Sequence, residues 1–114
     1  MINPDKDFIR LLGNSKNMDY QTTMETPLEH VLMAFRKQTM MAWMEDHPES
    51  FAEAVQLSIA DKQPYSWRAA WLLCNFMEDN DPRIQPFIPK IIDCLESKGD
   101  GHQRELIKIL YRMD

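Results

Sequence analysis

The chain has 114 residues, 44% of them hydrophobic and 27% charged. That suits one domain, or one piece of a repeat array, with a single modest core, and it excludes a disordered chain. The net charge of −5 argues against a surface built to grip a phosphate backbone or an anionic membrane, since both need a cationic surplus.

Glycine is scarce, valine occurs only at Val31 and Val55, and there are nine methionines. Such a balance favours helix, because Met, Leu, Ala, Glu and Lys lose little rotamer freedom there. Prolines then mark the helix starts, where a missing N–H costs little. Asn3-Pro4 opens a first expected helix over 3–12, followed by a polar loop over 15–23. Thr26-Pro27-Leu28-Glu29 is a capping-box signal. Leu28, Val31, Leu32, Phe35, Ala42 and Trp43 continue as one face of a helix expected to reach Glu45, with Met33, Met40, Met41 and Met44 on its other side. His47-Pro48 opens a third helix, stopping near Asp61, with Phe51, Ala52, Ala54, Val55 and Ile59 inward.

Ser66 is expected to cap a fourth helix over 67–78, dense enough in apolar side chains to be the most buried. Asp81-Pro82 opens a fifth, irregular in its first turn or regular only from about Pro86 because of Pro86 and Pro89. Its expected face is Phe87, Ile88, Ile91, Ile92 and Leu95, and Gly99 is placed for a left-handed residue after its end. A last helix follows from Asp100-Gly101-His102-Gln103, with Leu106, Ile107, Ile109, Leu110 and Met113 on its face. No segment alternates as a strand would. The short connections predict five to six antiparallel helices in an all-α domain.

Residues 1–7 lack a basic region followed by an apolar core, so no signal peptide is expected. No apolar run approaches the ~20 residues of a membrane helix, and a cytoplasmic protein is the expectation. Cys74 and Cys94 fall in apolar helical stretches and read as buried small hydrophobes in a reducing compartment. There is no zinc-ligand spacing, HExxH, phosphate loop or nucleophile elbow, and no cofactor is expected.

The second half repeats. His47-Pro48 and Asp81-Pro82 stand 34 residues apart. Phe51, Val55 and Ile59 match Phe87, Ile91 and Leu95 at an offset of 36, and Arg68 matches Arg104 at the same offset. A helix–turn–helix unit of this period is the mark of an α-solenoid, whose units bury their apolar faces only by stacking. The proline at each unit's first helix and the arginine near the start of each second helix, in Ser66-Trp67-Arg68-Ala69-Ala70-Trp71 and His102-Gln103-Arg104-Glu105-Leu106, resemble HEAT-like repeats. The Ser-Trp-Arg-Ala-Ala-Trp stretch is similar to small HEAT-like proteins of bacterial type, and the resemblance covers about 46–113. It implies a right-handed α-α superhelix with two helical hairpins over 47–114 and an N-terminal cap over 1–46. A solenoid ordinarily closes on a polar-faced unit. A last helix still carrying Leu106, Ile107, Leu110 and Met113 therefore predicts self-association through that end.

The resemblance also implies that Arg68 and Arg104 pair with acids in a polar ladder, with Asp61, Asp79, Asp81 and Glu105 as expected partners. A phosphate or acidic ligand is the functional alternative. Trp67 and Trp71, four apart on one face, read first as core with Trp43; if exposed, they are the best protein-binding anchors in the chain. The methionines read as filler between helices, or as a soft docking surface. His30 beside Glu29 and His47 beside Asp46 read as solvated or capping, since sequence neighbours diverge on a helix. Together these features predict a non-catalytic scaffold or adaptor for an unknown protein partner, with no membrane role. The alternative is nucleic-acid binding: HEAT-like alkylpurine DNA glycosylases use Trp, Asp and Arg on a cationic concave face, which Trp67, Arg68 and Trp71 resemble. Thirteen basic against eighteen acidic residues weigh against it.

Overall fold

A computed structural model describes residues 25–114, which hold six α-helices, three short 3-10 turns and no strand. The helix expected over 3–12 and the loop over 15–23 lie outside the described residues.

Helix α1, Pro27–Ala34, begins as its sequence demands. The Thr26 hydroxyl accepts from the Glu29 amide at 3.1 Å, and the Glu29 carboxylate accepts from the Thr26 amide at 3.0 Å. Glu29 is buried, and its second oxygen receives the Lys62 ammonium at 2.7 Å. Thr26 also donates to Glu53 at 2.7 Å. One capping box thus ties α1 to two later segments.

The single helix expected to reach Glu45 is two. Phe35 adopts φ 54°, ψ 50°, and after an extended Arg36 a new helix α2, Lys37–Asp46, starts. A left-handed phenylalanine costs about 1–2 kcal/mol. Two contacts offset that cost. The Phe35 ring packs edge-on against Trp71 at 5.2 Å, and the Arg68 guanidinium lies over it at 4.8 Å. In α2, Met40 and Met44 are fully buried, which bears out their reading as inter-helix filler, whereas Met33 is exposed.

A 3-10 turn at Pro48–Ser50 runs into α3, Phe51–Ile59, whose buried side is Phe51, Ala54, Val55, Leu57 and Ser58. Ala52, expected inside, is exposed. Helix α4, Tyr65–Phe76, packs against α1, α2, α3 and the last helix at once. Ala69 and Ala70 are fully buried beside Leu72 and Leu73, and small residues there let its neighbours approach closely. Ser66 lies inside its first turn rather than capping it, and its hydroxyl accepts from the Lys62 amide at 2.8 Å.

Asp81 does not open a helix directly. Its buried carboxylate accepts from the Glu78 and Arg83 amides, each at 3.0 Å, and is gripped by the Arg83 side chain at 2.9 and 2.7 Å. The guanidinium beside it holds the Asp81 carboxyl down at about 2. Arg83 in turn lies 3.9 Å over the Phe51 ring. After this turn and a 3-10 segment at Gln85–Phe87 comes the short α5, Ile88–Cys94, so the regular helix starts near Pro86. Ile91 is buried but Ile92, expected on the same face, is 54% exposed.

A further 3-10 turn, Leu95–Ser97, ends the segment at an extended Lys98, and Gly99 is extended too, at φ −66°, ψ 166°. The left-handed glycine expected there is not used. Helix α6, Asp100–Tyr111, buries His102, Glu105, Leu106 and Ile109. α4 packs on α6, and α3 packs on both α4 and α5. Second helix therefore meets second helix and first meets first, as in stacked helical hairpins.

Candidate functional site

Trp67, Arg68, Trp71 and Arg104, the four residues singled out from the sequence, do not gather at one point. Arg68 reaches back to α1, where its Nη1 donates to the Leu32 and Met33 carbonyls at 3.1 and 3.0 Å. It closes a helix end that no local side chain caps. Trp71 is half-buried beside it, against Phe35. The acid partners expected for the two arginines are taken by other cations. Asp61 pairs with Lys98, Asp79 with Arg112, Asp81 with Arg83 and Glu105 with Lys108. Arg104 is exposed.

Trp67 is 48% exposed. It forms one wall of a hollow of about 470 Å³ between the α3–α4 turn and the start of α6, with Gln63, Pro64, Gly101 and His102 among its other walls. Gly101 lets the indole approach closely: a Cβ on it would lie 3.0 Å from the ring. Arg104 lines a second hollow of about 430 Å³ along α6 with Gln103, Ile107, Lys108 and Tyr111, and Asp100 belongs to both. A continuous strip results. It runs from Met33 and Phe35 at the end of α1, over Arg68, Trp71 and Trp67 on α4, to Asp100, Arg104 and Tyr111 on α6. The large apolar groups left most open on it are Met33, Phe35, Trp67 and Tyr111.

Beside Trp67 in the hollow lies His102, which its sequence marks only as part of a helix start. It is 4% exposed. A carbonyl can only accept, so Nε2–H donates to the Ser58 oxygen at 2.7 Å, and Nδ1 accepts from the Gln63 amide at 3.0 Å. That arrangement fixes the neutral tautomer, and burial pushes the imidazole below its usual range. A sequence signal was present: His102 stands 36 residues after Ser66, a position buried in the preceding unit.

Burial pushes both thiols, Cys74 and Cys94, upward, away from the reactive thiolate. His47 stacks on Trp43 at 4.1 Å, and His30 meets Glu25 at 3.3 Å in the open. The Tyr65 hydroxyl donates to the Glu25 carboxylate, an acceptor that holds its pKa up at about 12. Among the described residues no group of three His, Cys, Asp or Glu side chains is placed to hold a metal ion, and no helix is long and apolar enough to cross a membrane.

Residues 24–114 match the family described as HEAT repeat domain. The match takes in α1 and α2 as well as the two hairpins that carry the internal repeat. Comparisons with curated proteins and with solved structures found no match.

Proposed function

Starting from a chain that belongs to the HEAT repeat domain family, we propose that it works as a non-catalytic scaffold, docking a protein partner on the strip that crosses α4 and α6. One observation carries this reading: Trp67, at 48% exposure, stands open at the centre of a connected apolar and aromatic band, while Ala69, Ala70, Leu72 and Leu73 of the same helix are fully buried. Half-exposed tryptophans with arginine nearby are the side chains that most often anchor protein interfaces. The strip offers breadth rather than a closed pocket with convergent polar groups, which favours docking over catalysis. A cytoplasmic setting goes with it, Cys74 and Cys94 both being free thiols.

The glycosylase-like alternative loses support from Arg68. A nucleic-acid surface needs that guanidinium on a phosphate, and here it is committed to two carbonyls of α1. Self-association through α6 loses much of the face it was expected on, since Leu106 is fully buried and Leu110 and Met113 pack against the core; the 85% exposure of Tyr111 is what still favours it.

A photo-crosslinking residue placed in turn at positions 67, 111 and 92 tests the reading in cells. A protein partner captured from 67 and 111 but not from Ile92, which lies on the first-helix layer, is the expected result. Capture from 92 alone sinks it. Capture of a second copy of the chain from 111 supports self-association instead, and capture of nucleic acid supports the alternative.

A further inference from the structure

The hollow beside Trp67 has a charge as well as a shape. Two carboxylates, Asp61 and Asp100, stand at its rim, and the Asp61 side chain is 73% exposed. Lys98 beside it is tucked away with only 3% of its side chain exposed, and Arg104, four residues after Asp100, lines the neighbouring hollow. The Lys98 ammonium is already engaged by one Asp61 oxygen at 3.2 Å and by the Ala60 carbonyl at 2.9 Å. His102 adds no charge, because its two nitrogens are satisfied in the neutral form. The end of α3 and the start of α6 meet here, and their opposite half-charges offset each other. The hollow is therefore walled by an indole, with the Asp61 and Asp100 side chains at its rim.

We propose that this hollow receives an arginine side chain from a basic segment of the protein partner, an inference that rests on the docking reading above. The chemistry selects arginine. A guanidinium lies flat on an indole and presents its N–H fork to a carboxylate in the same plane. An ammonium offers only a point charge, and an anion meets Asp61 and Asp100. The chain's net charge of −5 steers a basic segment toward it from a distance.

The test is a titration of the isotopically labelled full chain with a blocked Gly-Arg-Gly peptide, followed by NMR, beside the same peptide with neutral citrulline in place of arginine. The arginine peptide is expected to give saturable shifts at the Trp67 indole N–H and the amides of residues 99–102. Citrulline is expected to bind about tenfold more weakly, the ratio for losing one charge-assisted contact. D100K is expected to weaken binding by about the same factor, W67A to abolish it, and G101A to weaken it by crowding the indole while leaving both carboxylates in place. Equal binding of the two peptides, or shifts that avoid residues 61–67 and 99–102, overturns the inference. The two readings fail differently. A partner crosslinked at position 67 that D100K still binds and the arginine peptide does not displace sinks the arginine site but leaves docking intact. Absence of any crosslink at 67 and 111 sinks docking itself, whatever the peptide does.

Discussion

The end of α1 and the end of α3 pose the same problem and receive different answers. Each is the first helix of a pair, and each ends in carbonyls that its own turn leaves open. At α1 the next unit sends Arg68 to the Leu32 and Met33 oxygens. At α3 the next unit sends His102 to the Ser58 oxygen and Lys98 to the Ala60 oxygen. Arg104, in the register of Arg68, is left at the surface. A unit's first helix is thus closed by the unit stacked on it, and whichever side chain does the closing is withdrawn from function. Equivalent positions in a repeat need not share a role.

That contrast is open to attack by mutation. R68A removes two charge-assisted bonds and the cation over Phe35, leaving a strained Phe35 and open carbonyls. It is expected to lower unfolding free energy by about 2–3 kcal/mol in urea titration. H102A orphans the Ser58 carbonyl and the Gln63 amide and leaves a void, for an expected loss of about 2 kcal/mol at pH 8. A loss in R68A no larger than in R104A would break the comparison.

The chemistry of the caps also predicts a difference in pH response. Burial lowers the His102 pKa below the ordinary histidine value of 6.5, with Lys98 adding to the shift and the Ser58 bond and Asp61 opposing it. Below that value the unfolded chain binds a proton that the folded chain refuses. Stability is then full above about pH 6.5 and falls as pH drops toward the lowered folded value. H102Q, whose amide can still donate to Ser58, should flatten that slope. Asp81 acts in a separate window: its pKa is lowered from 3.8 to about 2, so its contribution is lost only as pH falls from the higher value toward the lower. Urea midpoints between pH 4.5 and 8 for wild type and H102Q read the first window alone. The smallest effect belongs to R104A, expected within about 0.5 kcal/mol of wild type.

Much of the fold was legible because its signals are local. The Thr26–Glu29 box, the proline starts and the apolar periods all act within a few residues, and the 36-residue offset between Arg68 and Arg104 exposed the stacking. The break at Phe35 was not legible, because nothing near it in sequence marks it; the contacts that hold it come from Arg68 and Trp71, a repeat length away. Gly99 was misread because the 3-10 turn at Leu95–Ser97 had already ended the helix, and the glycine that matters is Gly101, against Trp67. The acids named for the arginine ladder do form ion pairs, but nearer cations reach some of them first: Arg83 is two residues from Asp81, and Lys108 is one turn from Glu105. Of the candidate site, Trp67 and Arg104 could be found by exposure-blind pattern reading, whereas His102 and Lys98 take their roles from a junction between units.

The most direct test is a calorimetric titration of the partner crosslinked at position 67, purified and added to wild-type, W67A and R68A protein, with stability measured on the same samples. A separation between the two variants is expected. W67A should lose at least tenfold in affinity, the scale of an aromatic anchor, at nearly unchanged stability, while R68A should lose stability and, under conditions where it remains folded, keep most of its affinity. Undiminished affinity in W67A, or a loss in affinity that merely tracks stability across both variants, would contradict it.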